Sequence, residues 1–441
     1  MPDNNRSTIR VGSRCSQLAL VQTNIAIGLL NLKHPSLRFE VSRISTVGDK
    51  ILDVALSKIG DKNLFTKELD NALLNKQVDF VVHSLKDVPT IMPDGLVLGC
   101  VFDRTSPEDV VLMSPANRGR KLCDLPSGSV IGTSSVRRVA TLTRLYPHLN
   151  FVSVRGNLNT RLRKLDESNT TAGGPKYDAV ILARAGIDRL GWSDRIDQVL
   201  TDGFYAVGQG ALACQCRRDD PFILTLLADL HSETAALSSI AERSLMRHLD
   251  GGCSTPIGVS TKLFPNTGGH PMYLHLRASV LSLDGGQCVE GDLLTDLSFH
   301  IAKHVKRVHS PDLDGVSDGC EYGKLPRDTE LPKVYADESD ESEGSSNISV
   351  PETVHSPTSP SGRLDSASTE EELRLAKNPS STFMGVHVNP MCDVARLRMA
   401  RAQRLGHALA ERLLSSGAAE ILEQLRASSA ALEPKPNTTA R

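Results

Sequence analysis

Between residue 9 and about residue 230 the chain alternates short apolar runs with helical patterns, and this alternation limits the possible folds more than any other feature. Ile9-Arg10-Val11 reads as a strand, after which Leu18, Val21, Ile25 and Leu29 recur on one helix face. Further strands are expected at 41–47, 78–82, 97–102, 110–113, 129–131 and 151–154. Tyr177-Asp178-Ala179-Val180-Ile181-Leu182 is continuous enough to be buried on both faces. Such a pattern predicts an α/β class fold: doubly wound, largely parallel sheets with covering helices, two of them at this length.

From about residue 235 the character changes. Residues 234–249 read as an amphipathic helix with Leu237, Ile240, Ala241, Ser244, Leu245 and His248 near one face. Residues 272–283 alternate up to a turn at Asp284-Gly285-Gly286, which predicts a smaller α+β domain with an antiparallel sheet. Residues 310–380 are rich in Ser, Pro, Asp and Glu and are expected to form a disordered acidic insertion, having too little apolar surface to offset ordering entropy. Order is expected again from Phe383, with a helix at 394–414 and a flexible tail over 428–441.

The arginines follow the strands. Gly132-Thr133-Ser134-Ser135-Val136-Arg137-Arg138 and Val154-Arg155-Gly156-Asn157-Leu158-Asn159-Thr160-Arg161 each come directly after a strand and open into a helical pattern. In open α/β sheets ligands bind beyond the carboxyl ends of strands. Guanidinium forks and hydroxyls there suit carboxylate or phosphate, so a small ligand with several negative charges is expected. Arg14 and Ser16, between the first strand and first helix, are placed the same way, although Ser16 also suits a helix cap. The cation cluster is local: the formal net charge is -2 and aromatics are 4%, which gives neither the electrostatic footprint nor the stacking platforms of a nucleic-acid binder.

No apolar run reaches membrane-spanning length, and the first residues lack the regions of a signal peptide. With nine irregularly spaced cysteines, these features predict a cytoplasmic protein with reduced thiols and no membrane partner. Cys214-x-Cys216 is too tight for the usual zinc pair, and no metal site is expected.

Two further segments carry chemistry. In Val81-Val82-His83-Ser84-Leu85-Lys86-Asp87-Val88-Pro89, a carboxylate follows a buried strand end, where it suits a base, an acid, a stabiliser of developing cation, or a turn aspartate paired with Lys86. In Asp250-Gly251-Gly252-Cys253, paired glycines allow a sharp turn before a thiol that suits a nucleophile, a covalent tether or a small buried residue. Val207-Gly208-Gln209-Gly210 lacks the spacing of a dinucleotide loop. Arg189 falls on a short helix, where a solvated side chain is the alternative to a ligand contact.

Taken in order, residues 12–20, 46–69, 82–90, 132–138, 155–165, 177–191, 206–212 and 241–258 resemble the porphobilinogen deaminases, also called hydroxymethylbilane synthases. Asn63-Leu64-Phe65-Thr66-Lys67-Glu68-Leu69 is especially family-like, and the resemblance covers roughly 9–300 and, weakly, 383–425. It implies two hinged domains like those of periplasmic binding proteins and a small C-terminal domain. Domain 1 would span 1–104 plus 201–230, domain 2 105–200, and domain 3 231–309 plus 381–427. The activity implied is a transferase of tetrapyrrole and haem biosynthesis. It joins four porphobilinogen molecules head to tail with loss of ammonia, then releases hydroxymethylbilane by hydrolysis. The primer implied is a dipyrromethane cofactor held by a thioether to Cys253.

By the same resemblance Asp87 is catalytic; Lys86, Ser134, Arg137, Arg138, Arg155, Arg161 and Arg189 bind the cofactor; and Arg14, Ser16, Phe65, Lys67 and Gln209 bind substrate. Residues 48–64 would form a lid. A monomer is implied, functionally coupled to uroporphyrinogen III synthase, which closes the product. Two positions depart from the family pattern: Arg184, expected at the surface, and Cys15, an oxidation-sensitive thiol beside Arg14.

Overall fold

The computed structural model describes residues 6–50, 64–167, 176–201, 203–250, 255–265, 271–299, 362–365, 367–388 and 390–430. The interior of the expected lid, Cys253 and residues 300–361 lie outside the described residues. The chain begins with β1 (Thr8–Arg14), α1 (Gln17–Lys33), β2 (Arg38–Ile44), α2 (Val47–Lys50), α3 (Lys67–Leu74), β3 (Phe80–Ser84) and β4 (Leu96–Phe102). A second group follows: β5 (Asp109–Met113), β6 (Val130–Gly132), α4 (Val136–Leu145), β7 (Asn150–Val152), α5 (Leu158–Asp166), β8 (Ala179–Ala183), α6 (Arg184–Arg189) and β9 (Gln198–Leu200). Then come β10 (Leu212–Arg217), α7 (Pro221–Ala228), α8 (Glu233–His248), β11 (Ile257–Pro265), β12 (Pro271–Leu281) and β13 (Cys288–Asp296). The last elements are β14 (Gly362–Arg363), α9 (Glu370–Lys377), α10 (Asp393–Leu413) and α11 (Ala419–Ala430).

Three sheets result. The first has the order β2-β1-β3-β10-β4, the second β7-β6-β8-β5-β9, and the third β11-β12-β13-β14. Each of the first two is mixed rather than parallel throughout. β10 runs antiparallel to β3 and β4, and β5 antiparallel to β8 and β9. The antiparallel strands are the first ones laid down after the chain crosses between sheets, so each crossing reverses direction. These are the two α/β domains joined by a hinge, with the smaller α+β domain beyond them. β5 and β8 are buried almost throughout, as their unbroken apolar runs require.

The expected face of α1 is turned. Ala19, Gln22, Thr23, Ala26 and Leu30 are buried, whereas Leu29 is 41% exposed. Close approach to the sheet favours small or hydrogen-bonding residues. Thr23 Oγ1 donates to Ser13 Oγ at 2.9 Å, and Gln22 Nε2 to Ser84 Oγ at 2.8 Å. α8 is not amphipathic as expected: residues 235–245 are buried all round, while His248 is exposed.

The expected disordered stretch 310–380 extends too far. β14 and α9 lie within it and belong with the third sheet and its helices. A capping box starts α9, with Thr369 Oγ1 accepting from Glu372 N and a Glu372 carboxylate oxygen accepting from Thr369 N. Glu372 is buried against Arg401, 2.6 Å away. A helix start signal and a buried ion pair outweigh a polar composition there. At the other end, α11 continues to Ala430, past the expected start of the tail.

Candidate active site

β1 ends at Arg14, and Ser16 then caps α1, its Oγ accepting from Ala19 N at 3.3 Å. β7 gives way to Arg155 and to Gly156, whose φ of 111° only glycine adopts readily. Asn157 caps α5, accepting from Thr160 N at 2.9 Å. The first turns of α1 and α5 line one cavity of about 520 Å³, and cap chemistry at both strand ends is what turns the chain into it.

A tight turn at Leu85–Asp87 follows β3 and brings Lys86 and Asp87 to the same cavity. Leu85 N donates to Ala211 O at 3.0 Å, and Gly208, at φ 72°, packs against the Lys86 amide. Asp87 is 36% exposed and lies 3.9 Å from Arg14 Nη1, so its partner is Arg14 rather than the neighbouring Lys86. Arg14 also stacks on Phe65, its guanidinium 4.4 Å from the ring centroid.

Charge on the lining is strongly one-sided among the described residues. Arg14, Lys86, Arg138, Arg155, Arg161 and Arg189 face a single carboxylate, Asp87. Arg138 and Arg189 are already paired, with Asp109 at 2.7 Å and Asp103 at 3.1 Å. Lys86, Arg155 and Arg161 have no carboxylate within ion-pair distance among the described residues. Desolvation, together with Arg138 and Arg155, pushes the Arg161 guanidinium down to about 10. Desolvation also lowers Lys86, with Asp87 opposing and Arg138 assisting. Cations whose charge the protein leaves uncompensated suit an anionic ligand.

Ten of the fourteen expected site residues line this cavity: Arg14, Ser16, Phe65, Lys86, Asp87, Arg138, Arg155, Arg161, Arg189 and Gln209. Arg137 does not. Its guanidinium is drawn inward to Asp109 at 2.8 Å and to the Phe204 carbonyl at 2.7 Å. Ser134 donates to Val154 O at 2.6 Å, fixing the backbone that leads to Arg155. Lys67 is exposed at the first position of α3, off the lining. Arg189 is not a solvated surface residue. It donates to the Asp103 carbonyl at 2.7 Å and the Gly210 carbonyl at 2.8 Å, tying the two crossing segments together. Arg184 pairs with Asp188 at 3.3 Å outside the lining, and the exposed Cys15 lies on it. The two ends of the expected lid are joined, Gly48 N donating to Leu64 O at 2.8 Å.

Several supporting residues escape a reading of the sequence. Asp109 bridges Arg137 and Arg138 and accepts from Gln209 Nε2 at 2.8 Å. Glu242, fully buried on α8, accepts from Arg104 at 2.7 Å, Thr261 at 2.7 Å and the Gly208 amide at 2.8 Å. Its neighbour Arg243 is 1% exposed and donates to the carbonyls of Val88 at 3.0 Å, Pro89 at 2.7 Å and Met384 at 3.1 Å. Two of these carbonyls directly follow Asp87. The available signal was a Glu-Arg pair inside a helical stretch, 235–245, that otherwise holds only Ala, Leu, Ile and Ser.

Arg243 therefore holds the aspartate turn from behind. Arg243→Leu is expected to lower kcat roughly 10- to 100-fold with KM within about twofold, because it misplaces a group without removing a ligand contact. Arg243→Lys should recover part of the loss. Steady-state kinetics normalised to folded protein check this, and a purely structural arginine would change stability while leaving kcat alone.

The chain matches two family models: "Porphobilinogen deaminase, dipyromethane cofactor binding domain" over residues 9–225 and "Porphobilinogen deaminase, C-terminal domain" over residues 236–303. It is 53% identical over 279 residues to the porphobilinogen deaminase of Synechococcus elongatus, covering 63% of this chain and 83% of that protein. Identity to the Gloeobacter violaceus enzyme is 51% over 281 residues, 63% of this chain and 82% of the relative. For Nostoc sp. it is 49% over 287 residues, 65% and 85%.

Proposed function

The chain belongs to the porphobilinogen deaminase family, and from that membership we propose a division of labour among its residues. It is a transferase that condenses porphobilinogen to hydroxymethylbilane by way of a covalently bound dipyrromethane cofactor, in tetrapyrrole biosynthesis. The residues present fit that cofactor. Its pyrroles carry carboxylate side chains, and the cavity offers three cations with no carboxylate partner among the described residues. When bound, the cofactor supplies the pyrrole carbon on which the chain is extended.

Cys253, outside the described residues, is the tether in this reading, and Lys86, Arg138, Arg155, Arg161 and Arg189 hold the cofactor's carboxylates. Arg14, Ser16, Phe65 and Gln209 receive the incoming substrate, with Lys67 beside Phe65. Ser134 and Arg137 act through the backbone and Asp109 that they fix. Asp87 is the catalytic group. Departure of ammonia leaves positive charge on the substrate's pyrrole ring, and a carboxylate on an otherwise cationic lining stabilises it. The same oxygen can take or return a proton at the reacting ring. The observation that carries the reading is one carboxylate opposite uncompensated cations in one cavity, among the described residues.

Arg155→Gln and Arg161→Gln are each expected to raise KM or slow cofactor assembly about 10- to 100-fold, the value of one charge-assisted contact of roughly 1.5–3 kcal/mol. Kinetics and intact mass of each variant test this; unchanged values in both would remove the arginines from the binding role.

The three sheets support the proposed domain division, with 362–377 added to domain 3. Among the described residues no helix is long and apolar enough to cross a membrane. All seven cysteines among the described residues are free, which supports a reducing, cytoplasmic setting. The same reading includes a monomer that hands its product to uroporphyrinogen III synthase.

A further inference from the structure

Away from the active cavity, α8 and α10 pack side by side. Gly406 permits this: a Cβ there would collide with the Ala241 carbonyl of α8. Two turns further along α8, the close approach brings His248 against His407, the residue after Gly406. Their imidazole centroids are 3.8 Å apart, tilted by 38°. His407 Nε2 lies 3.2 Å from Glu411 Oε1, one turn on along α10. One ligand atom from each of the three residues falls within a 4.8 Å group. All three are exposed, and both histidines line a surface cavity of about 190 Å³.

We propose that His248, His407 and Glu411 form a binding site for a divalent transition-metal ion of the zinc class. Two imidazoles and a carboxylate are a donor set that zinc accepts, with a fourth position left to water. Without sulfur ligands the set does not favour Cu(I), and its two nitrogens are poor ligands for calcium or magnesium. Tetrahedral zinc bonds place ligand atoms ~3.4 Å apart. The His407–Glu411 pair already meets that spacing, and small side-chain rotations bring in the rest.

Electrostatics support the assignment. Desolvation and the facing His407 lower the His248 pKa, with Glu411 opposing, a direction that favours the neutral imidazole a metal binds. Two cations near the cavity are turned elsewhere. Arg404 pairs with Glu372 at 3.4 Å, and Arg247 donates to the Thr90 carbonyl. The expectation of no metal site rested on the tight Cys214-x-Cys216 spacing. His248 and His407 are far apart in the chain and meet only through helix packing.

Function at this site follows from where α8 ends. His248 is its last residue, and the chain then runs through Gly251-Gly252 to Cys253. A metal bridging His248 to α10 would anchor the base of that segment. The site is independent of substrate binding, so its failure would leave the proposed catalytic roles untouched.

The test uses the full-length holoenzyme, stripped with a chelator and titrated with Zn²⁺ by calorimetry, beside His407→Ala and Glu411→Gln. Wild type should bind one equivalent more than His407→Ala, and Glu411→Gln should bind it at least tenfold more weakly. Both exposed variants should keep metal-free turnover, which verifies folding. Anomalous diffraction at the zinc edge should place the ion between the three side chains. Equal stoichiometry in wild type and His407→Ala, or zinc found only at the exposed Cys15, Cys123 or Cys392, would overturn the proposal.

Discussion

Asp87→Asn is expected to lower turnover about a thousandfold, the range of a transition-state charge contact combined with proton transfer. The substitution keeps shape and removes the only carboxylate on the cavity lining among the described residues. Stability should change by no more than ~0.5 kcal/mol, because a half-exposed pair at 3.9 Å contributes little. The variant should still melt cooperatively and retain its pyrroles. Asp87→Glu should also be impaired, since the extra methylene moves the oxygen from a position set by the Leu85–Asp87 turn and by Arg243. Steady-state kinetics beside thermal melting check the pair. Turnover within tenfold of wild type would remove Asp87 from the reaction.

Asp109→Ala is expected to have the largest effect on stability. Asp109 is buried between two buried guanidiniums, and removing it leaves Arg137 and Arg138 as adjacent charges without their counter-ion. Breaking a buried pair in this way costs roughly 3–5 kcal/mol. Gln209 also loses one of its two acceptors, keeping only the Pro107 carbonyl, so activity should fall together with stability. Acid should act through the same group. Burial alone would raise this carboxyl, but Arg137 and Arg138 overcome it and hold the pKa well below 3.8. A depressed carboxylate stabilises the fold fully above its unfolded value and loses that contribution as pH falls through the folded one. Wild type should therefore lose this increment in strong acid, below pH 3.8, and Asp109→Ala should lack it at every pH. Urea unfolding at pH 7 and pH 3 measures both effects. A variant as stable as wild type at pH 7 would refute the role given to the pair.

What the sequence made legible was local. Arginines placed directly after strands do line a cavity, since strand ends and helix caps are encoded within a few residues. Asp87 reaches the same cavity for the same reason. What stayed hidden depends on contacts between distant segments. Arg137 and Arg138 look equivalent in the chain, yet Asp109 draws the first away from the cavity and leaves the second on its wall. Leu18, Val21, Ile25 and Leu29 form a convincing stripe, but close packing on the sheet selected the smaller face. Glu242 and Arg243 gain their meaning only when α8 meets the Tyr205–Ala211 loop and the aspartate turn. α9 was concealed by composition, because the buried Glu372–Arg401 pair that holds it joins residues on two different helices.

In the proposed reading Cys253 carries the covalent cofactor that this basic cavity holds. Intact mass spectrometry of the purified chain beside Cys253→Ser tests it most directly. A dipyrromethane-sized adduct is expected on the native chain and none on the variant. An adduct of the same mass on Cys253→Ser would contradict it, as would a native chain that stays unmodified after incubation with porphobilinogen.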